Sequence, residues 1–418
     1  MKNRTDMLSR RRFLCKVGVG ASASLLASQS IAQALLNTDT AEQNRNDAQL
    51  TKDDLPTSEI DSNQLISSSA ADAKPQANCI TPTIETRLFA SSNVGANDTR
   101  NQLALQRMAC SGFKVNNPAV TDRQYLRFAG TDSQRASDLQ NIATGAIAAP
   151  KLLLGVRGGY GAMRILPLID WQTLGRIMTE RGTILAGFSD VTAIQCALLA
   201  QGNMSSLAAP MLYSEFGKTN PDQVSCRQFA KTLTDPNLII DVASAAITSE
   251  KLPTVLATNA TQTITGTIWG GNLSVVSALA GSPYLPRIKG GIVFLEDVGE
   301  QTYRIERMLY DLYLAGVFKD QQAIVFGAIT GTGEDSYDAR YDISIVIQNL
   351  HELTGLPIYN GMRFGHIAQK QSFPLGATCE ISADNSGGYR LRFADYPVID
   401  AGAVNVEGLW HIFPSTRQ

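Results

Sequence analysis

Histidine is scarce, with three residues in 418, so imidazole chemistry has few places to sit. No C-x-x-C pair occurs, and the six cysteines stand at long, irregular intervals. That spacing excludes a zinc ribbon and a complete disulfide framework. No apolar run reaches the roughly 18 residues that a membrane-spanning helix needs. Charged residues are only 18% of the chain and the net charge is −2, which argues against nucleic acid as the main partner. The 34 glycines follow no collagen-like period, and a hydrophobic fraction of 44% excludes wholesale disorder. What remains is a chain long enough for two domains, with a small molecule or peptide as the expected ligand.

The N-terminus reads as an address. Residues 1–34 hold six of the 36 Lys/Arg and one of the 38 acids, leaving 30 against 37 and a net of −7 in the remainder. Ser9-Arg10-Arg11-Arg12-Phe13-Leu14 leads into an apolar stretch over 17–26, and Ala32-Gln33-Ala34 supplies the small residues a signal peptidase accepts. Paired arginines followed by Phe-Leu, with Lys16 after Cys15, resemble a twin-arginine signal. The competing reading is a basic amphipathic helix on a soluble protein. No lipobox cysteine follows directly on the apolar run, so a lipid anchor is not expected. Residues 1–34 are therefore expected to be a twin-arginine signal and the mature protein to be periplasmic. Its removal takes Cys15 and leaves Cys79, Cys110, Cys196, Cys226 and Cys379. One disulfide is allowed in such a set, its pairing unspecified, and buried thiols are the simpler expectation.

Residues 35–84 are rich in Asn, Asp, Gln, Ser, Thr and Ala and read as a loosely ordered extension. From Arg87 the texture changes. Short apolar runs at 152–156, 183–188, 291–295 and 323–329 alternate with helical patterns at 135–143, 191–200, 273–280 and 303–314. Such alternation predicts an α/β fold with mostly parallel strands. The division expected is an N-terminal α/β domain over 85–213, a connection over 214–260 interrupted by Pro221, Pro236 and Pro253, and a C-terminal domain over 261–418.

The segment Thr183-Ile184-Leu185-Ala186-Gly187-Phe188-Ser189-Asp190-Val191-Thr192 is an apolar strand ending at glycine, with a serine just before a helix. That placement lifts a hydroxyl out of a sheet. The following amide, on Asp190, can donate to a developing oxyanion. Ser189 read alone serves equally as a helix N-cap. A second turn, Gly155-Val156-Arg157-Gly158-Gly159-Tyr160-Gly161, exposes consecutive N–H groups without the spacing of a phosphate loop. Of the histidines, His351 lies in a helical run and His411 in a terminal apolar segment. His366 closes the glycine-flanked loop Gly361-Met362-Arg363-Phe364-Gly365-His366 after a strand over 357–359 and is the best general base. Glu296, directly after the strand 291–295, is the expected orienting acid, with Glu300 as its rival. Asp297 would point to the opposite side if the strand continued.

Arg157-Gly158-Gly159-Tyr160-Gly161, Gly187-Phe188-Ser189-Asp190, Gly270-Gly271-Asn272-Leu273, Leu295-Glu296-Asp297 and Phe364-Gly365-His366, in this order, resemble the LD-carboxypeptidase family. These are serine peptidases that trim murein tetrapeptides, together with microcin-immunity relatives. Phe128-Ala129-Gly130-Thr131-Asp132 and Arg135-Ala136-Ser137-Asp138-Leu139 fit the same family's first domain. Ala208-Ala209-Pro210 departs from it where many members carry His-Gly-Pro. The resemblance implies a second domain with a swivelling-type sheet. It also implies a triad of Ser189 as nucleophile, Glu296 as acid and His366 as base. The oxyanion hole would come from the Asp190 amide and the Gly158–Gly159 turn, and no metal or other cofactor would be needed. A carboxypeptidase must also neutralise a terminal carboxylate. Arg304, with Arg307 as its rival and Tyr160 nearby in the glycine turn, is the expected substrate contact. The substrate expected is a murein tetrapeptide, cleaved by an exported enzyme. A hydrolase of peptidyl- or aminoacyl-nucleotides and a non-catalytic muropeptide binder are the alternatives. The oligomeric state is left open, a homodimer included.

Overall fold

The computed structural model describes residues 79–244, 253–256, 263–384 and 386–411. The expected signal over 1–34 and nearly all of the extension over 35–84 lie outside these residues.

Strands β1 (Ile84–Phe89), β2 (Phe113–Val115), β3 (Leu152–Gly155), β4 (Ile184–Gly187) and β5 (Ser206–Ala208) build the first sheet, in the order β2-β1-β3-β4-β5, all parallel. β3 and β4 are buried along their whole length, which accounts for their unbroken apolar sequences. The helices of this half are α1 (Asp98–Cys110), α2 (Asp132–Ala143), α3 (Ala162–Ile165), α4 (Trp171–Arg181) and α5 (Thr192–Gly202). Thr131 and Gln134 close a reciprocal capping box at the start of α2. α4 packs so closely on α5 that a Cβ at Gly175 would fall 2.2 Å from the Gly202 carbonyl oxygen.

The stretch expected to run between domains is more structured than its prolines foretold. It carries α6 (Gln223–Thr234) and two strands, β6 (Ile239–Val242) and β7 (Val255–Leu256), which form the two edges of the second sheet. Pro221 and Pro236 flank α6 rather than interrupt it, as proline's missing N–H allows. The interior of that sheet is β8 (Ile264–Asn272), β9 (Gly291–Val298), β10 (Gln321–Thr330) and β11 (Ile358–Tyr359), mutually parallel. Helices α7 (Leu273–Ala278), α8 (Thr302–Leu314) and α9 (Ile343–Thr354) connect them. β12 (Phe373–Leu375) then returns to the first sheet, antiparallel to β5. β13 (Thr378–Ala383) and β14 (Tyr389–Ala394) complete the second sheet in the order β6-β14-β13-β8-β9-β10-β11-β7. The protein is thus α/β with two mixed sheets, and one continuous apolar cluster runs through both halves.

Cys79 is bonded to Cys110, across a separation of 31 residues, while Cys196, Cys226 and Cys379 are free and buried. The bridge ties the chain entering β1 to the end of α1, where the Ile80 amide also donates to the Cys110 carbonyl at 3.2 Å. Closing a loop of this length restricts the unfolded chain by about 3–4 kcal/mol. Replacing both cysteines by alanine is expected to lower the free energy of denaturant unfolding by up to that amount. An unmoved midpoint would mean that the bridge carries no stability.

Candidate active site

The strand order β2-β1-β3-β4-β5 in the first sheet reverses the order of strand addition between β1 and β3, and α/β folds bind ligands at the carboxyl ends of strands flanking such a point. Here those ends carry Ala90 to Asn93 after β1, the glycine turn after β3 and Ser189 after β4. Ser189 is one of four non-glycine residues among those described with positive φ, at 62°. This is the strained strand-to-helix turn that projects a hydroxyl away from the sheet. Ser189 makes no cap hydrogen bond; its Oγ lies 3.0 Å from Nε2 of His366. Nδ1 of the same ring lies 2.9 Å from Oε2 of Glu296, which is 1% exposed. The three residues read from the sequence meet, from two sheets and one loop. With Nδ1–H donated to the carboxylate, Nε2 keeps the lone pair that can accept the serine proton.

Glu296 does not follow its strand, as expected, but lies within it. β9 runs on to Val298, and Glu296 pairs with Asn272 across the ladder. The Asn272 amide donates to Oε1 at 3.2 Å, so both oxygens of Glu296 are occupied. Asp297 turns instead to the first turn of α7, where the amide and hydroxyl of Ser274 donate to Oδ2 at 2.8 and 2.6 Å. Glu300, the rival acid, pairs with Arg304 at 3.8 Å.

The imidazole answers to opposed influences. Burial disfavours its charged form and Lys370 does the same, but the charge and hydrogen bond of Glu296 outweigh them, so the pKa is raised above 6.5. Lys370 is itself buried, donating to Glu215 Oε1 at 2.9 Å, with its ammonium 4.2 Å from the centre of the Phe188 ring. That ring packs 5.1 Å from the imidazole. The pair joins the loop of His366 to the segment Leu212–Phe216 after β5.

The glycine turn lies against the serine. A Cβ on Gly158 would stand 2.6 Å from Ser189 Oγ and 3.4 Å from the Asp190 amide nitrogen, so this turn and that amide border one small space. The side chain of Asp190 holds the turn there. Its Oδ2 accepts from Ser92 Oγ at 2.6 Å and from the Ala162 amide at 2.8 Å. Burial raises its pKa, an effect that these donors oppose. Arg135, wholly buried, donates to the carbonyls of Gly161, at 2.9 Å, and Ser91. Sequence reading had used only the Asp190 backbone, and it had no role for Arg135, Asn272 or Lys370. Asn272 carried one legible sign: an asparagine before a helix is an N-cap, and its Oδ1 does accept from the Val275 amide.

Arg304 is not drawn to the triad by any contact described: Glu300 and the Tyr303 hydroxyl engage it at the start of α8. Arg307 is exposed, and Glu306 accepts from the Tyr341 hydroxyl rather than pairing with it. Tyr160 is half exposed beside the glycine turn, and its amide donates to Asn93 Oδ1. His351 meets the Leu356 carbonyl through Nδ1 at the end of α9. No cluster of three or more His, Cys, Asp or Glu suited to a metal ion occurs among the described residues.

Comparison with known proteins gives this geometry its context. Residues 87–209 match the LD-carboxypeptidase N-terminal domain and residues 265–381 the C-terminal domain. The chain belongs to the LD-carboxypeptidase family. A protein named as a carboxypeptidase in Streptomyces coelicolor is 32% identical over 271 residues, 64% of this chain and 80% of that one. The murein tetrapeptide carboxypeptidase of Pseudomonas aeruginosa is 26% identical over 70% of this chain and 90% of its own. Among solved structures, a muramoyltetrapeptide carboxypeptidase from Oxalobacter formigenes superposes with a TM-score of 0.65 at 29% identity, covering 75% of this chain and 99% of that one. A microcin C7 self-immunity protein, with a TM-score of 0.62 at 19% identity over 78% and 99% of the two chains, shares the fold.

The contact between Gly158 and Ser189 yields a test. Gly158→Ala keeps the turn's N–H but puts a methyl into the space beside Ser189 Oγ, and should slow the labelling of Ser189 by a fluorophosphonate, a reagent for activated serines, by about 10²- to 10³-fold, as much as a lost oxyanion donor costs. Labelling of the variant at the unsubstituted rate would show that the turn is not part of the reacting space.

Proposed function

We propose that this protein is an exported serine LD-carboxypeptidase that removes the terminal D-alanine from murein tetrapeptides. The observation that carries the reading is the hydrogen-bonded chain Ser189–His366–Glu296 in a member of this family. Two relatives named for murein or muramoyl tetrapeptides, at 26 and 29% identity, support the substrate. In this reading residues 85–213 bring the nucleophile and 261–418 the acid and base.

Ser189 Oγ attacks the carbonyl carbon of the third residue, at the L-centre of diaminopimelate or lysine, while His366 Nε2 takes its proton. Glu296 holds the ring by Nδ1–H and stabilises the imidazolium. The oxyanion faces the Asp190 amide and the Gly158–Gly159 turn. His366 then returns the proton to the leaving amine, the C–N bond breaks and D-alanine departs. A water, deprotonated by the same nitrogen, attacks the ester carbonyl and frees the tripeptide and Ser189. Export is supported by the twin-arginine pattern of residues 9–16 and by the Cys79–Cys110 bridge, a bond at home in oxidising compartments.

Incubation of the protein with purified tetrapeptide should release D-alanine, and Ser189→Ala should abolish that release without loss of folding. Undiminished turnover by the variant would remove Ser189 from the reaction. Release from an aminoacyl-nucleotide but not from the tetrapeptide would favour the other branch of the family.

The reaction's pH dependence follows from the imidazole. Only neutral His366 accepts a proton, and Glu296 favours the charged form, so the acid limb of kcat/KM should lie above the ordinary histidine value of about 6.5. Glu296→Gln removes that influence and should move the limb to lower pH, with a loss in rate of up to about 10⁴ by analogy with the Ser-His-Asp template. Glu300→Gln, remote from the ring, should leave both nearly unchanged. The opposite ranking of the two variants would assign the acid to Glu300.

A further inference from the structure

Resting on the carboxypeptidase reading, we infer that Arg127, on a lip beside the glycine turn, receives the free terminal carboxylate of the peptide. The place follows from a run of contacts leading away from the nucleophile. Gly158 abuts Ser189. A Cβ on Gly159 would fall 2.5 Å from Asn93 Cγ, so Asn93 packs directly on the next residue of the turn. Asn93 Oδ1 in turn accepts from Arg127 Nε and from the Tyr160 amide, each at 3.3 Å. The guanidinium carbon lies 5.8 Å from the centre of the Tyr160 ring. A carboxypeptidase substrate ends one residue beyond the scissile bond, about one Cα–Cα step of 3.8 Å. Its carboxylate must therefore fall on the immediate border of the oxyanion space, where Asn93 and Arg127 stand.

The electrostatics of the lip point the same way. Neighbouring cations are already engaged: Arg123 by Asp138 and Arg164 by Asp132, at 2.7 and 2.8 Å, and Arg157, next to Gly158, by the Val94 carbonyl at 3.0 Å. Arg135 also holds Asp132. Arg127 is exposed and has no carboxylate within ion-pair distance among the described residues, which leaves its forked Nη edge for a planar anion. Arg304, by contrast, already faces Glu300.

The lip is also held in a costly shape. Leu126 takes φ 53° while 72% exposed, and Tyr125 beside it is 53% exposed. A leucine gains nothing from packing in that position, and a left-handed non-glycine backbone costs about 1–2 kcal/mol. The strain is sustained by rigid ties. Tyr125 and Phe128 exchange two backbone hydrogen bonds of 2.9 Å, and the Val94 amide donates to the Arg127 carbonyl at 3.0 Å. Strain kept at a cleft edge by such bonds is the pattern of a preorganised binding element.

The test compares the tetrapeptide acid with its C-terminal amide. Arg127→Gln should lower kcat/KM for the acid roughly 10- to 100-fold, mostly through KM, and change the amide less than about threefold. Calorimetric binding of the two peptides to Ser189→Ala protein, with and without Arg127→Gln, reads the same preference without turnover. Equal losses on acid and amide, or a selective loss in Arg304→Gln with Arg127→Gln silent, would overturn the assignment to Arg127. If the unsubstituted protein released no D-alanine and Ser189→Ala protein bound neither peptide, the carboxypeptidase reading itself would fall, and the lip's role with it.

Discussion

Everything at the cleft depends on bringing a loop of the second sheet within 3.0 Å of a hydroxyl on the first. Two of the close contacts around this meeting leave no room for a side chain, and glycine is used at both. A Cβ on Gly271 would stand 2.5 Å from Thr192 Oγ1, at the start of the helix that follows Ser189. That hydroxyl instead accepts the Asn272 amide at 3.1 Å, pinning β8 to α5. A Cβ on Gly365 would stand 2.8 Å from Glu296 Oε2, in the place the carboxylate needs to meet His366. Both glycines have φ well above zero, at 140° and 136°, so the freedom is conformational as well as steric. The motifs Gly270-Gly271-Asn272 and Phe364-Gly365-His366 therefore have a common physical meaning: they are points of closest approach.

Much of this was readable in the chain because its signals are local. The strands 152–156 and 183–188 announced themselves by unbroken apolar runs, and the structure trims each to Leu152–Gly155 and Ile184–Gly187. Ser189 was marked by a strand, a glycine and a helix in sequence, and His366 by elimination among three histidines. The position of Glu296 inside β9 was missed because two acids in an apolar strand imitate its end. Alternation then hides the cause, which is that each acid finds a donor: the Asn272 side chain reaches both, and Ser274 meets Asp297.

The unread residues share a different property: their partners are distant. Asp190 meets Ser92, 98 residues away, and Lys370 meets Glu215, 155 residues away. Arg127 touches Asn93 across 34 residues and a change of strand. No periodicity or spacing records such pairs, since the fold alone brings them together. The same holds for the connection over 214–260. Prolines suggested a linker, yet the alternation in β6, with Ile240 and Val242 buried and its neighbours exposed, was a faint strand signal.

The cleft is underlain by three buried carboxylates, those of Asp190, Glu296 and Asp297. Left unanswered, their combined field would hold His366 as an imidazolium and remove it as a base. The fold separates their effects. Asp190 is occupied by Ser92 and the Ala162 amide, and Asp297 by Ser274 and the Val298 amide, so burial rather than the imidazole dominates their titration. Glu296 alone is hydrogen-bonded to the ring, with Asp297 adding a smaller charge effect of the same sign. Burial of the ring and the nearby Lys370 ammonium oppose it. Lys370 is fixed in that place by Glu215, whose Oε1 accepts from its Nζ at 2.9 Å, on the face of the Phe188 ring. The proposed base, which must be neutral to begin and charged midway, is thus placed between influences of both signs, with Gly271 against Thr192 and Gly365 against Glu296 allowing the approach.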